Sequence, residues 1–270
     1  MKHFLKLTGI SILAYLIIVI VVVARDGVFS VAGKALHLVH GNVATVWGGV
    51  VYNMWGILLA VLTVWLVKRW VPFRIRFSLR GDVRWLALIP LVLAYGWVLF
   101  DQIVETFKSV GHESLSRNFG HLLNGILPGT FEEILIRGGL LAILLYALPA
   151  SGTRALKAAV ISSLVFGSLH FINLTGGQPL GATIQQVIYA FIIGLAFTAL
   201  YYRTGSIWPG IILHILTDFT DDYSGGTAAM MPWHELALYF GPLLLISLFM
   251  LRPSQDSYNA RGLVRYSWCD

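Results

Sequence analysis

Long apolar segments fill this sequence, and a few ionisable residues lie inside them. Hydrophobic residues make up 57% of the 270 residues and charged residues only 12%, whereas a soluble protein carries about 25% charged residues. A charge inside lipid costs at least ~2.5 kcal/mol, so it persists mainly where it is paired or used. The chain is therefore predicted to be an integral membrane protein with a polar interior. Six ionisable residues lie within apolar segments: Glu132, Glu133, Arg137, His170, His214 and Asp218.

The apolar segments predict an all-α protein. Lipid leaves only helices and closed barrels as spanning structures, and 20-residue apolar runs are too long for barrel strands. We expect a polytopic bundle of about eight transmembrane helices with a polar intramembrane cavity. It would form a single membrane domain over residues 1–270, with a polar C-terminal tail at 253–270. The predicted spans are roughly 5–24, 43–67, 85–100, 121–148, 155–174, 180–202, 206–220 and 234–251.

Two features of these spans leave alternatives open. The third and seventh spans are short for a membrane core of ~30 Å, so they either tilt little or are partly re-entrant. Residues 101–120 have apolar residues at helical spacing. They form either an amphipathic helix at the membrane interface or a plain connecting loop.

The basic residues indicate how the chain is oriented. They follow the second, fourth, sixth and eighth spans, and the largest group is six Lys and Arg residues between positions 68 and 84. Such groups mark cytoplasmic loops. We therefore predict an integral protein of a prokaryotic plasma membrane with both termini in the cytoplasm. The same pattern accounts for the net charge of +6, so the lipid bilayer is a predicted partner and nucleic acid is not.

The first motif is Glu-Glu-x-x-x-Arg in the fourth span. On a helix, Glu133 and Arg137 share a face with the acid N-terminal, the favourable order for an ion pair. Glu132 is turned by about 100° from Glu133 and is harder to pair. We assign Glu132 as the chemical residue and Glu133 with Arg137 as structural support. The alternative is one buried salt-bridge network that holds helices together.

Two histidine motifs lie in the fifth and seventh spans. Phe166 precedes His170 by four residues, so its ring is placed to support that imidazole. Asp218 follows His214 by four residues, and its carboxylate could fix the tautomer and orientation of the imidazole. Ionisable groups inside a membrane bundle are expected to face one another. Both histidines should therefore meet Glu132 in one cavity.

Such a cavity suits hydrolysis. A carboxylate and an imidazole can deprotonate water, and a second imidazole can stabilise an oxyanion. Acyl groups, and peptide bonds in particular, are the expected substrates. Glu132, His170 and His214 could also supply three zinc ligands, but the helical His-Glu-x-x-His signature is missing. We predict no cofactor and no metal, with zinc as the alternative.

At these residues the chain resembles the CPBP family. It comprises type II CAAX prenyl endopeptidases and bacteriocin-processing or self-immunity proteins, and is also called the Abi family. The three motifs occur in the family's order over roughly residues 120–220, which would form the catalytic motif core. The resemblance implies an intramembrane, glutamate-dependent endopeptidase that acts on a peptide or protein.

The resemblance also implies a role for each motif residue. Glu132 and His170 would activate the water, and His214 with Asp218 would hold the oxyanion. Asp218 stands where the family often has asparagine. Because an ionised carboxylate is a poor oxyanion donor, we expect Asp218 to orient His214 or to be protonated.

Other functions remain open from the sequence. The main alternative is a non-catalytic bacteriocin-immunity or scaffold membrane protein whose polar cluster binds a peptide or partner. A proton-coupled transporter is a further alternative, although paired broken helices are not evident. Prenyl cleavage is not carried over to this chain, because a cell that lacks prenylated proteins would need another substrate.

Overall fold

The computed structural model describes residues 20, 39–40, 43–44, 46–69, 75–149, 151–224 and 230–255. The predicted span at 5–24 (apart from Ile20) and the tail beyond 255 lie outside these residues. A two-residue antiparallel pair, β1 (Val39–His40) and β2 (Val43–Ala44), precedes the helices. The α-helices are α1 (Val46–Val67), α2 (Ile89–Val98), α3 (Phe100–Val110), α4 (Leu115–Glu133), α5 (Leu141–Ala147), α6 (Arg154–Leu169), α7 (Leu180–Thr204), α8 (Trp208–Ser224) and α9 (Trp233–Leu251).

Short helical turns of other types connect some of these helices. A π-helix, Ile134–Leu140, joins α4 to α5. The 3₁₀-helices are Trp85–Leu88 before α2, His170–Gly176 after α6, and Pro253–Gln255 after α9. The predicted all-α helical bundle is confirmed.

Several helices are long and apolar enough to cross a membrane. In the described part of the chain four stretches qualify: Gly48–Leu66, Arg154–Gly176, Leu180–Thr204 and Trp233–Leu251. A fifth span is formed if the pair Trp85–Val98 and Phe100–Val110, bent by 58°, counts as one. The predicted spans at 121–148 and 206–220 are helical and carry the acidic residues of the motifs, but neither is among the stretches that qualify. The total of eight spans therefore stays a prediction.

The bend between α2 and α3 concerns the two alternatives that the sequence left open. The third predicted span is broken at Leu99, as either a broken span or a re-entrant segment would be. Residues 100–110, within the proposed amphipathic piece, form the helix α3. A plain connecting loop at this position was therefore the wrong alternative.

The π-helix lies in the core of the bundle. Six of its seven residues, including Arg137, are buried. Gly138 and Gly139 allow neighbours to come close: a Cβ on Gly139 would lie 3.5 Å from the Val64 side chain of α1, and one on Gly138 would lie 2.8 Å from Ile75. A π-helix widens the turn and is often found at functional sites. Here it follows directly on the two glutamates.

Glycines bring α4 into direct backbone contact with α8. A Cβ added to Gly125 would lie 2.8 Å from the carbonyl oxygen of Ile215, and one added to Gly129 would lie 3.1 Å from its amide nitrogen. Small residues permit this approach between membrane helices. Because the two backbones touch, the glutamates at the end of α4 reach His214 on α8.

We expect Gly125→Ala to destabilise the protein. The added methyl group would meet backbone atoms of α8, which cannot rotate away, and overpacking of this kind costs about 1–3 kcal/mol. Thermal unfolding of the purified protein in detergent should show a lower Tm. The matched control is Gly96→Ala in α2, where no heavy atom lies within 4 Å of the added Cβ. Equal melting temperatures for the two variants would contradict the proposed close contact.

Candidate active site

The imidazole of His214 lies at the centre of the site. Its Nδ1 is 3.1 Å from Oε1 of Glu133, and its Nε2 is 3.6 Å from Oε2 of Glu132 and 3.8 Å from Oδ1 of Asp218. The residue is buried, with 6% of its surface exposed. Three carboxylates from two helices therefore surround one imidazole, and only the contact with Glu133 has hydrogen-bond geometry.

Glu133 and Arg137 form the predicted ion pair. Nη1 of Arg137 donates to Oε1 of Glu133 at 2.7 Å, and both side chains are only 1% exposed. Nη2 of Arg137 donates to the carbonyl oxygen of Gly194 at 3.2 Å. The guanidinium carbon lies 4.8 Å from the ring centroid of Phe166 and 5.4 Å from that of Phe197. The cation is thus held between an acid, a carbonyl and two aromatic rings, an arrangement that compensates for its burial.

The hydrogen bond that Nδ1 of His214 donates to Glu133 was not predicted from the sequence. Two alternatives were predicted for Asp218: that it orients His214 or that it is protonated. Its carboxylate is 3.8 Å from Nε2, beyond hydrogen-bond distance, so no hydrogen bond from His214 supports the first alternative. The orienting acid is Glu133, which had been placed with Arg137 alone. Helical spacing relates residues within one helix and could not reveal a contact between α4 and α8. Gly210 leaves room for this carboxylate, since a Cβ there would lie 3.1 Å from Oε2 of Glu133.

Phe166 contacts both histidines. Its ring centroid lies 5.5 Å from that of His170 and 5.8 Å from that of His214, with interplanar angles of 78° and 86°. Edge-to-face packing of this kind fixes ring orientation. The packing of Phe166 on His170 agrees with the prediction from the sequence. The contact between Phe166 and His214 was not predicted.

His170 is the C-cap of α6 and the first residue of the following 3₁₀-helix. It interacts electrostatically with Glu132 and His214. Together with His214 and Asp218 it lines one cavity. The structure therefore brings all seven motif residues into one region of the bundle.

The cavity has a volume of about 280 Å³. It is lined by the end of α6, the first half of α7, the second half of α8 and the start of α9, together with the break between α2 and α3. All of these parts lie towards the end of α7 that begins at Leu180, away from the end that carries Arg203. Glu132 approaches His214 beside this cavity and is 25% exposed.

Polar uncharged residues of the cavity were missed from the sequence. Gln185 bonds the backbone of Met231 through both its amide nitrogen, at 2.7 Å, and its carbonyl oxygen, at 3.1 Å. Gln186 accepts hydrogen bonds from Asn173 and Gln178 at 2.8 and 3.0 Å. Two adjacent glutamines inside an apolar span were the available signal. Because both side chains are uncharged, the pattern of ionisable residues in apolar spans does not reveal them.

Two further contacts tie the break between α2 and α3 to the cavity. The hydroxyl of Tyr95 is hydrogen-bonded to that of Thr217, one residue before Asp218. Tyr239 of α9 donates to the carboxylate of Asp101 at 2.6 Å. Neither pair could be recognised from spacing, because each joins residues more than 100 positions apart.

Among the described residues, no three His, Cys, Asp or Glu side chains are arranged in a geometry that would hold a metal ion. Glu132, His170 and His214 are close to one another without forming such a group. The absence of a cofactor stays a prediction.

A comparison with known protein families finds a match over the part of the chain that contains the motifs. Residues 116–220 match the family model described as Type II CAAX prenyl endopeptidase Rce1-like. The match covers less than half of the chain, and over these residues the chain is similar to that family. The Rce1-like segment contains every motif residue and runs from α4 to α8, in agreement with the resemblance to CPBP proteins. No curated protein and no solved structure gives a significant match. An Rce1-like domain among apolar helices supports a membrane-embedded protease of the CAAX type, which acts on a peptide or protein.

We expect Arg137→Gln to destabilise the Rce1-like domain strongly. Loss of the guanidinium leaves the carboxylate of Glu133 buried without its cation, and breaking a buried pair costs about 3–5 kcal/mol. The double variant Glu133→Gln/Arg137→Gln should recover part of the loss, as measured by thermal unfolding in detergent.

The matched control for this pair is Arg117→Gln. Arg117 and Glu113 have the same spacing of four residues and the same 2.7 Å separation, but the arginine side chain is 64% exposed. Exposed pairs contribute little to stability, so Tm should hardly change. A loss as large as that of Arg137→Gln would contradict the importance assigned to burial.

Proposed function

We propose that this protein is an intramembrane endopeptidase that hydrolyses a peptide bond with water activated by Glu132 and His170. One observation carries the proposal. His214 presents Nε2 towards Glu132 while Glu133 holds Nδ1, at the wall of a polar cavity within an apolar bundle. A site that merely held helices together would need no such cavity.

Glu132 is the base in this mechanism. Unlike Glu133 it is not hydrogen-bonded to Arg137, and it is partly exposed, so its carboxylate is open to water. The carboxylate takes a proton from the water, and the resulting hydroxide attacks the carbonyl carbon of the peptide bond. The proton then passes to the departing amine. His170, on the same cavity, accepts a hydrogen bond from the attacking water and so positions it.

His214 stabilises the oxyanion in this mechanism. Its Nδ1–H donates to Glu133, so a donor at Nε2 requires the imidazolium form. The carboxylates of Glu132 and Glu133, 3.6 and 3.1 Å from the two ring nitrogens, provide the negative charge that balances this cation. The Nε2–H then points into the cavity, where the charge of the tetrahedral intermediate develops.

The substrate would enter from the end of the bundle opposite the basic loops. The cavity is lined by the end of α7 that begins at Leu180, whereas Arg203 lies at the other end. With both termini in the cytoplasm, as the basic residues indicate, the cavity opens on the outer side of a prokaryotic plasma membrane. A substrate exposed on that side is consistent with an activity other than prenyl-protein cleavage.

We expect Glu132→Gln to abolish cleavage without unfolding the protein. The amide keeps the size of the side chain but cannot take a proton, and loss of a general base lowers the rate by about 10²- to 10⁴-fold. Cells that express the wild type and the variant at matched levels should differ in the membrane peptidome measured by mass spectrometry. The control is Glu105→Gln, an exposed acid paired with Lys108, which should release the same peptides as the wild type.

The same experiment distinguishes the main alternative. If peptidomes are identical and the biological phenotype survives in Glu132→Gln, the protein is a bacteriocin-immunity or scaffold protein. Retained cleavage of a genuine substrate by Glu132→Gln would exclude Glu132 as the base.

We expect Asp218→Asn to retain cleavage within about tenfold of the wild type, because an amide can donate to the oxyanion where a carboxylate cannot. Asp218→Leu removes both the negative charge and the polar group, so it should lose much more activity. The rates are compared on a peptide identified in the peptidome. A severe loss in Asp218→Asn alone would show that the negative charge itself is needed.

A further inference from the structure

A second groove lies at the opposite end of the bundle from the active-site cavity. It has a volume of about 460 Å³ and is formed by the start of α2, the end of α7 and the end of α9. Three arginines line it: Arg84, Arg203 and Arg252. No acidic residue lines the groove in the part of the chain that the structure describes. The groove therefore has the charge to attract an anion.

Two of the arginines are held in place by uncharged partners. Nη2 of Arg203 donates to the carbonyl oxygen of Met250 at 2.5 Å, and its Nη1 donates to Gln255 at 3.0 Å. Nη1 of Arg252 donates to the carbonyl oxygen of Phe249 at 2.8 Å. These bonds hold the two guanidinium groups in position beside the groove. Arg84 is exposed at the start of the 3₁₀-helix before α2.

The wall below the arginines is apolar. Leu88, Leu245, Ile246 and Phe249 line the groove. Leu245 and Phe249 are four residues apart on one face of α9 and are 69% and 64% exposed. Leu238, seven residues before Leu245, continues the same face and is 59% exposed. A strip of this length, about 16 Å along the helix, suits a hydrocarbon chain.

We propose that this groove binds an anionic phospholipid, with the phosphate at the three arginines and an acyl chain along the exposed face of α9. The charge complements a phosphate, and guanidinium groups bind phosphate oxygens well. A free phosphate ion would not use the apolar strip, whereas a phospholipid would place an acyl chain along it. The groove also lies at the end of the bundle that the basic loops place in the cytoplasm, where anionic lipids are recognised by basic pockets between helices.

The test uses the full-length protein in a neutral detergent. Native mass spectrometry measures its affinity for dioleoyl phosphatidylglycerol and for dioleoyl phosphatidylcholine, which have the same chains and differ in net charge. Phosphatidylglycerol should bind more tightly. Arg84→Gln/Arg252→Gln should weaken its binding by about 10- to 30-fold, as expected for two arginines near a lipid phosphate.

Two controls distinguish binding of the lipid in this groove from nonspecific electrostatic attraction of the lipid to the protein. Lys157→Gln removes an exposed cation at the start of α6, on the same predicted side of the membrane, and should leave the affinity within twofold. Glycerol phosphate tests the headgroup alone and should not displace the lipid at equal concentration.

Several outcomes would overturn the proposal. Equal affinity for the two lipids in the wild type would do so even if the double variant failed to fold. An unchanged affinity in a folded double variant would place the lipid elsewhere. Full displacement by glycerol phosphate would show that the groove recognises a free phosphate group and that the apolar strip contributes nothing.

Discussion

The carboxylate of Glu133 is the interaction on which the site depends. One oxygen accepts hydrogen bonds from both Arg137 and His214, so a single acid links the π-helix to α8. All three groups are almost completely buried, and the ion pair between Glu133 and Arg137 compensates for the burial of both charges. The arrangement fixes which nitrogen of His214 faces the cavity. It also leaves Glu132, its neighbour in sequence, without a hydrogen bond to Arg137 and with a quarter of its side chain exposed.

Backbone contact between helices makes this link feasible. Gly125 and Gly129 let α4 touch α8, and Gly167 performs the same task between α6 and α7, where an added Cβ would lie 2.6 Å from the carbonyl oxygen of Val187. Close packing shortens the distance that side chains must bridge. Glutamate, which is short compared with arginine or lysine, can therefore reach an imidazole on another helix. The aromatic rings of Phe166 and Phe197 fill the remaining space around it.

The sequence predicted much of the site because charges inside lipid are rare and informative. Glu133 and Arg137 pair as their spacing indicated, and Phe166 packs on His170 as expected. The acid that orients His214 could not be identified, since its contact spans two helices. Gln185 and Gln186 escaped notice because they carry no charge. Four of the predicted spans, 43–67, 155–174, 180–202 and 234–251, coincide with helices that are long and apolar enough to cross a membrane. The break at Leu99 and the π-helix have no clear hydrophobicity signal.

The π-helix has a consequence for how this chain can vary. A π-helix amounts to one residue more than an α-helix would need over the same rise, so it offsets the faces of α4 and α5 from one another. Substitutions within it change one side chain at a time. A deletion of one residue would restore the ordinary repeat and rotate everything on one side of it by about 100° relative to the other. The residues of α5, most of which are buried, would then turn away from the neighbours that they contact, so we expect this segment to tolerate a change of length less well than a change of one side chain.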